Sequence, residues 1–414
     1  MGHGIGLGIG GAAGLSIPDL AERPAEAILV VRSHQTDARA AIAEIRAGIG
    51  DCKPSLVLLF VPAFFDRTAL TEALRDGMTS TEVFGCTTAG QITQEGYENN
   101  ALLALAFRRE HFRVASTLVA SSAPVDIAQV VNQSRRLVER FPSSYGHRRL
   151  ALVFMDGQSK QEDVLVAALA QGLRDIPVFG GSAGDGLAYG ETQVLHGGCF
   201  HKAATLLLLL ETDLSFRGIG FDHFTPTDSR MVVTQAVPEE RLVLELNGNT
   251  AAVEYARLVG VPVAELSPVV FSENPVLVRN GNTYHVRAIK QVHENGGLSF
   301  LSAIDNGLLL RLGRGKEILR TLDGGLTVLG DKGESPDIIL GFDCVLRRLE
   351  IENKGLRKEA SDSLRAHRVV GFNTYGEQHL GVHVNQTFVG VAFFGPGGGG
   401  RPGPGSRRHP PFFD

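Results

Sequence analysis

An internal repeat constrains the fold of this chain more than any single motif does. The string SLVLLFVP at residues 55–62 is followed by an amphipathic stretch and then by VFGCTTAGQ from Val83. The string RLALVFMDG at residues 149–157 is followed by a similar stretch and then by VFGGSAGDG from Val178. The offset of 27 residues from Leu56 to Val83 becomes 28 residues in the second copy. Each copy therefore predicts a buried strand, a helix, a short strand and a glycine-rich turn.

A looser third copy lies near the end of the sequence. The string DIILGFDC at residues 337–344 precedes a charged helical stretch that runs to about His367. The strings VVGFNTYGE, from Val369, and TFVGVAFF, from Thr387, then supply two further strands. We therefore predict a mixed α/β fold that uses repeated β-α-β units.

A different pattern occupies residues 216–305. Gly and Asn turns separate five strand candidates there, RMVVTQAV, RLVLEL, PVLVR, TYHVRAI and LSFLSAI, which together predict an antiparallel β layer. We place a domain boundary near Ser215. The predicted organisation has a Gly-rich N-terminus at 1–24, two domains at 25–215 and 216–394, and a Gly/Pro/Arg tail at 395–414. The two ends are expected to be disordered, because their composition cannot bury enough surface to offset the entropy of ordering.

Composition and charge exclude several classes of protein. A net charge of −5 and a pI near 6.2 leave no basic surplus for a nucleic-acid partner. No apolar run approaches the ~18 residues of a membrane span, and residues 1–16 contain no Lys or Arg for a secretion signal. The four cysteines are far apart in the sequence and form no CxxC pair, which indicates reduced thiols. We therefore expect a cytoplasmic protein.

Glycine turns mark the predicted strand ends. Gly85, Gly180 and Gly371 each lie near the end of a short apolar strand, and polar residues follow each of them. Ligand crevices in open α/β sheets form at the carboxyl ends of strands, so these turns are where a small molecule would bind. The predicted crevice is lined by the turns at residues 85–91, 180–186 and 371–378.

The GxSxG string at residues 180–184 leaves a serine hydrolase open as an alternative. A nucleophile elbow needs a helix directly after the serine, whereas DGLAYGETQVLHGG predicts a loop. A hydrolase would use Ser182 as its nucleophile. Its acid and base would come from later in the chain, where Asp222, Asp228, His223 and His383 are available. No complete catalytic constellation accompanies these residues, so we do not expect an enzyme.

Several strings together resemble the FIST family, with its N-terminal and C-terminal portions in order. They are VFGCTTAG and VFGGSAGDG, then RGIGFDHFTPTDSRMVVTQA with RLVLELNGNTAAVEYARLVG, and finally VVGFNTYGEQHLGVHVNQTFVGVAF, the most specific of them. The resemblance covers nearly all of residues 25–395. It implies a bacterial sensory protein that binds a small ligand. Because it uses almost the whole chain, the signal would leave through a separate histidine kinase or cyclic-di-GMP enzyme, either a diguanylate cyclase or a phosphodiesterase.

The resemblance leaves two kinds of ligand open. Some FIST proteins are haem-based nitric-oxide sensors, and that branch implies an axial histidine in the C-terminal portion, for which the HVNQT segment offers His383. A sensor of an amino acid or another metabolite, without haem, would instead bind through polar turn residues. These are Thr87, Thr88, Ser182, Asp185, Asn373, Thr374, Tyr375 and Glu377. In both cases we expect occupancy to favour one arrangement of the two portions.

Overall fold

Three copies of one β-α-β-α-β unit form most of the structure. The structure is a computed structural model, and it describes residues 26–121, 123–281 and 283–395. Each copy ends with a short hairpin and a closing strand. The first copy comprises β1 (Ile28–Ser33), α1 (Ala38–Ile49), β2 (Pro54–Pro62), α2 (Arg67–Gly77), β3 (Val83–Thr88), β4 (Gln91–Thr93), β5 (Gly96–Glu98) and β6 (Leu102–Arg108). The second comprises β7 (Phe112–Ala120), α3 (Ile127–Arg140), β8 (Arg148–Met155), α4 (Glu162–Leu173), β9 (Val178–Ser182), β10 (Val194–His196), β11 (Cys199–His201) and β12 (Ala204–Thr212).

The third copy is interrupted by an insertion. It starts with β13 (Ser215–Phe221). The insertion comprises β14 (Phe224–Val237), β15 (Leu242–Leu246), β16 (Asn249–Thr250), α5 (Ala251–Val259), α6 (Pro268–Glu273), β17 (Val276–Asn280), β18 (Thr283–Arg287), β19 (Ile289–Val292), β20 (Leu298–Phe300) and β21 (Leu309–Gly315), with 3-10 turns at Pro238–Glu240 and Val263–Glu265. The copy then resumes with α7 (Ile318–Leu326), β22 (Ile338–Cys344), α8 (Val345–Asn353), α9 (Arg357–Ala366), β23 (Val369–Thr374), β24 (Glu377–His379), β25 (Val382–Val384) and β26 (Phe388–Phe394).

The sheets of the three copies share one strand order. It is β1-β6-β2-β3 in the first sheet, β7-β12-β8-β9 in the second and β13-β26-β22-β23 in the third. The last two strands of each run are parallel, as in β2 and β3, and the other neighbours are antiparallel. The predicted mixed α/β class and its repeated β-α-β units are confirmed, and the third copy is as complete as the first two.

The hairpins are exchanged between the copies. The hairpin β10–β11 of the second copy extends the first sheet, β24–β25 of the third copy extends the second, and β4–β5 of the first copy extends the third. Each copy therefore gives one hairpin and receives one, in a cyclic order. The division into domains at Ser215 stays a prediction, and two of these hairpins pair across that position.

A close approach between parallel strands fixes the glycines of the repeat. A Cβ atom on Gly85 would lie 1.9 Å from the carbonyl oxygen of Leu59 on the neighbouring strand. A Cβ atom would lie 1.9 Å from the carbonyl oxygen of the neighbouring strand at Gly180 and 1.8 Å from it at Gly371. Real Cβ atoms do not come so close to backbone, so no other residue fits these positions without moving a strand.

Phenylalanine rings fill the centre where the three sheets meet. Phe60, Phe154 and Phe342 occupy equivalent positions on β2, β8 and β22, and Phe372 lies among them. The ring centroid of Phe372 lies 4.7 Å from that of Phe60, 6.0 Å from that of Phe154 and 5.7 Å from that of Phe342. The first two copies have the small Cys86 and Gly181 where the third has Phe372. Of these three equivalent positions, only the one in the third copy has a large ring. That ring, of Phe372, fills the space between the three sheets and completes their shared core.

The insertion forms a fourth, antiparallel sheet with the order β18-β17-β21-β14-β15-β20-β19, and β16 pairs with β15. The predicted antiparallel layer is confirmed, although it begins at Phe224 and extends to Gly315. The segment from residue 216 to 221 belongs to β13, because that strand pairs with β26 in the third sheet. Its alternation of apolar and polar residues suits both environments, so the pattern alone does not separate them.

Candidate functional site

The ends of β3, β9 and β23 meet at the centre of the molecule and hydrogen-bond to one another through their backbones. Three N–H groups at equivalent positions donate to a neighbouring copy: Ala89 to Asn373 (3.0 Å), Gly184 to Thr87 (3.0 Å) and Tyr375 to Ser182 (3.2 Å). Three further equivalent donors point the opposite way: Thr87 to Gln193 (2.9 Å), Ser182 to Gly376 (2.8 Å) and Asn373 to Gly90 (2.8 Å). These six hydrogen bonds form a closed backbone ring, so the predicted turns meet one another directly.

Seven of the eight predicted ligand-binding side chains are buried at this ring. The exposed fraction is 2% or less for Thr87, Thr88, Ser182, Asn373, Thr374, Tyr375 and Glu377, and Asp185 is half-buried. Most of their polar atoms bind protein. The Thr87 hydroxyl accepts from the Gln193 N–H at 3.1 Å, and the Thr88 hydroxyl donates to the Val61 carbonyl at 3.2 Å. Their role as direct ligand contacts stays a prediction.

Thr374 and Glu377 come together in the buried interior of the third copy. The Thr374 hydroxyl donates to the Glu377 carboxyl, and the N–H and hydroxyl of Thr387 donate to its other oxygen at 3.1 and 2.6 Å. Burial raises the pKa of Glu377 to about 8, against the lowering effect of these three hydrogen bonds. The carboxyl therefore changes its charge near neutral pH.

Asp185 and Tyr375 also come together, and they organise a loop of the second copy. In the other two copies the exchanged hairpin begins three residues after the strand end, but here residues 183–193 intervene. The Tyr375 hydroxyl donates to the Asp185 carboxylate and accepts from the N–H groups of Asp185 and Tyr189, both at 3.2 Å. Asp185 also accepts from the N–H groups of Gly190 (2.8 Å) and Glu191 (2.9 Å). We call residues 185–193 the covering loop.

A cleft of about 290 Å³ opens beside the backbone ring. All three copies line it. The lining residues are Ala63, Thr88, Ala89, Gly90 and Asn99 from the first copy, Gly186 and Leu187 from the covering loop, and Val345, Arg348, Leu349 and Glu352 from α8. This volume lies at the small end of the range for ligand pockets. Of the eight predicted ligand residues, Thr88 lines the cleft.

Arg348 is the cationic group of the cleft, and its guanidinium is held in place from several sides. It donates to Glu352 (2.9 Å), to the Asn373 side chain (2.9 Å) and to the Asn99 side chain (2.6 Å), and it lies 5.1 Å from the Tyr97 ring centroid. A Cβ atom on Gly90 would lie 2.1 Å from Nη1 of this arginine. Gly90 therefore leaves the space through which the guanidinium reaches the strand end.

Comparison with known families identifies the chain. The FIST N domain matches residues 55–249, and the FIST C domain matches residues 251–379. The chain belongs to the FIST family. FIST domains are associated with sensory signal transduction through small ligands. A comparison with curated proteins gave no match.

The surroundings of His383 in this FIST protein do not fit a haem. Its ring is 2% exposed, with Nδ1 3.1 Å from Nε2 of Gln378 and Nε2 3.4 Å from the Leu301 carbonyl oxygen. A Cβ atom on Gly376 would lie 2.3 Å from the imidazole, so the ring is packed against backbone. Both nitrogens are engaged and neither faces the cleft lining. We therefore assign no chemistry to a haem at this residue.

The hydroxyl of Ser182 is not arranged as a hydrolase nucleophile in this FIST protein. Ser182 is the last residue of β9, is fully buried, and accepts a hydrogen bond from Nε2 of Gln378 at 3.0 Å. Gln378 lies between the serine and His383, and an amide cannot take the proton of a serine. His223 faces Glu350 and Arg347 instead.

The described residues hold no group of three or more His, Cys, Asp or Glu side chains placed to bind a metal ion. None of the helices in the described ranges is both long and apolar enough to cross a bilayer.

The sequence predicts a helical stretch after Cys344, but it gave no sign that the start of that stretch forms one wall of the cleft. In the first two copies a loop separates the core strand from the next helix, whereas α8 begins at Val345, directly after β22. The string DCVLRRLE carries the signal, because a charged helical pattern starts there without an intervening turn. That direct start brings Arg348 and Glu352 to the strand end.

Proposed function

We propose that this FIST protein is a non-catalytic sensor that binds a small polar metabolite, without haem, in the cleft beside the backbone ring. The observation that carries the proposal is that all three copies contribute walls to this cleft. A ligand there contacts the first copy, the covering loop of the second and α8 of the third. It therefore reports on how these parts are arranged.

The charges of the cleft favour a ligand with both an acidic and a basic group, such as an amino acid. Glu352 offers a partly exposed carboxylate to an ammonium group, and the side-chain amide N–H groups of Asn99 and the remaining Nη2–H of Arg348 offer donors to a carboxylate. Leu187 and Leu349 supply apolar contact beside them. A volume of about 290 Å³ suits a molecule of that size better than a porphyrin.

The opposite face of α8 provides a route from the cleft to the fourth sheet. Arg347 donates to Asp343 at 2.8 Å and to Nδ1 of His223 at 2.9 Å, and Nε2 of His223 lies 2.7 Å from Glu350. His223 precedes β14, the first strand of the fourth sheet. A ligand that moves α8 moves this buried network, provided that it binds the two arrangements with different affinity.

The output of such a sensor is a changed surface shown to a separate histidine kinase or cyclic-di-GMP enzyme. Family membership supports this role. All four cysteines are free thiols, which supports a reducing, cytoplasmic setting.

A thermal-shift screen of the twenty amino acids and common dicarboxylates tests the proposal. A cleft ligand raises the unfolding midpoint of the wild type by mass action. Leu187→Trp, at a side chain that is 41% exposed, narrows the cleft and is expected to weaken this response at least tenfold. Leu309→Trp, at a leucine 53% exposed in the fourth sheet, is the matched control and keeps the response. If no compound acts through Leu187, the cleft is not the sensory site; a nitric-oxide-sensitive Soret band after haem reconstitution would favour the haem sensor instead.

A further inference from the structure

A second polar region lies where the start of α4 meets the fourth sheet. Arg241 is 4% exposed there, and its Nη2 lies 2.6 Å from Glu162 and 3.0 Å from Asp163, both in the first turn of α4. Its Nη1 donates to the Leu301 carbonyl, and Asp163 accepts from the Ala303 N–H at 3.0 Å. We call this region the α4–sheet interface. It lies outside the residues that line the cleft.

Two further cations face the same interface from the fourth sheet. Arg287 ends β18 and interacts electrostatically with Asp163 and Arg241, and burial lowers its pKa. The ammonium of Lys290 lies 3.3 Å from Oε1 of Gln158 and 4.8 Å from the ring centroid of Tyr189. Asp185 and Lys160 also interact electrostatically with Lys290. Four cationic side chains (Lys160, Arg241, Arg287 and Lys290) thus face three carboxylates (Glu162, Asp163 and Asp185), which leaves one positive charge in excess.

Hydrogen-bond donors of this interface lack acceptors among the described residues. Five of the fourteen buried side-chain atoms without a partner lie here: Nε of Arg241, Nε and Nη1 of Arg287, Nε2 of Gln158 and the hydroxyl oxygen of Ser302. Four of the five are N–H donors, and the hydroxyl can donate as well.

The chemistry of these atoms selects a ligand class. A buried guanidinium N–H without an acceptor is costly, and a charged oxygen is its strongest partner. An acceptor-rich anion would satisfy the arginine donors and balance the excess positive charge, whereas a neutral or cationic ligand would not. From the unpaired donors and the charge imbalance we infer that the α4–sheet interface is a second binding site, for a small anion that carries a carboxylate or a phosphate group.

The covering loop connects this second site to the cleft. Leu187 lines the cleft, and Tyr189, two residues later, lies under Lys290. The Tyr189 ring also packs on Tyr375 with centroids 4.7 Å apart. An anion at the interface therefore acts on the same loop that borders the cleft, and any coupling between the two sites is reciprocal.

Unfolding midpoints with sodium phosphate, sodium succinate and sodium chloride at equal ionic strength test this site. The wild type is expected to gain stability with phosphate or succinate over chloride, and the two anions separate the phosphate and carboxylate classes. Arg287→Met is expected to weaken that response at least tenfold. Without added anion it is expected to unfold at the wild-type midpoint or above, because it removes a half-buried cation with two buried nitrogens that lack acceptors. Arg279→Met, at an exposed arginine of the same sheet, keeps the full response.

Two results would overturn the inference. The first is a wild type that responds equally to all three salts, and the second is an Arg287→Met protein that responds like the wild type. In the second case, loss of the response in Leu187→Trp would place the anion in the cleft. If Arg287→Met does not fold, Gln158→Leu removes another unpaired donor and is measured in the same way.

Discussion

The backbone ring and the α4–sheet interface differ in whether their buried polar groups have hydrogen-bond partners. Both bring polar groups into the interior where separate parts of the chain meet. At the ring, six backbone hydrogen bonds of 2.8–3.2 Å pair the strand ends in a threefold pattern. At the interface, buried donors of Arg241, Arg287 and Gln158 have no acceptor in the described chain.

This difference separates the fixed part of the molecule, which we call the frame and which consists of the first three sheets and the backbone ring, from the part that can respond. A fully paired backbone beneath a phenylalanine core has one arrangement, and every departure from it costs hydrogen bonds and packing. A polar interface with unsatisfied donors loses little when it shifts, and it gains when a ligand supplies the missing acceptors. A sensor needs both parts, because a ligand transmits a signal by moving one part of the protein relative to another part that stays fixed.

The largest expected effect comes from breaking the frame at Gly180. Gly180→Ala places a Cβ atom 1.9 Å from the carbonyl oxygen of Val153, so β8 and β9 cannot pair as they do. We expect a loss of more than about 4 kcal/mol in the free energy of unfolding, or no folded protein. Urea denaturation measures it.

The control for that substitution is Gly324→Ala, in α7. No atom lies within 4 Å of a Cβ built there, so the variant is expected to be unchanged or more stable by up to about 1 kcal/mol. A Gly180→Ala protein as stable as Gly324→Ala would show that the strands at the ring can separate, and the contrast between frame and interface would fail.

The repeat shows how much of the frame the sequence predicts. Apolar runs and glycine turns at constant spacing predict the strand-helix-strand units, since both signals are local. The third copy is harder to see because the fourth sheet interrupts it after β13. The exchange of hairpins has no local signal, since β4 pairs with β23, which is far away in the sequence.

The candidate site was less predictable than the fold. Sequence correctly brings the three turns to one place, but it cannot show whether Thr87 or Asn373 points to a ligand or to a neighbour. That choice depends on the backbone ring, which forms only when all three copies meet. The cleft depends on α8, and its side chains reach the strand end because that helix starts without a loop.

Titration of Glu377 tests the stability of the frame, because this buried carboxyl gains or loses its charge inside it. Folding raises its pKa from 4.5 to about 8, so the folded state keeps a proton that the unfolded state has lost between those values. The contribution is complete below pH 4.5 and disappears as the pH rises through 8. Stability should therefore fall between pH 5 and 8 by up to about 1.4 kcal/mol per pH unit from this group.

Glu377→Gln keeps the shape of the neutral acid and should flatten that decline in thermal or urea unfolding. Glu254→Gln is the control, because the pKa of Glu254 is lowered to about 2, mainly by its hydrogen bond with Arg257. Its contribution is lost only as the pH falls below 4.5, so the slope above pH 5 should not change. Equal slopes for Glu377→Gln and the wild type would mean that this carboxyl does not carry a proton at neutral pH.

The smallest effect is expected at the covering loop, where frame and interface meet. Tyr375→Phe leaves the ring of this side chain in the core but removes the hydroxyl that binds Asp185 and the N–H of Tyr189. Lost hydrogen bonds to a carboxylate and two amides are worth about 1–2 kcal/mol locally. Amide hydrogen exchange across residues 185–193 should accelerate roughly tenfold while the three sheets stay protected.

Tyr255→Phe, which loses one hydrogen bond to Asn274 in the insertion, should leave the loop unchanged. If the loop in Tyr375→Phe stays as protected as in the wild type, the loop belongs to the frame, and neither the cleft nor the interface can signal through it.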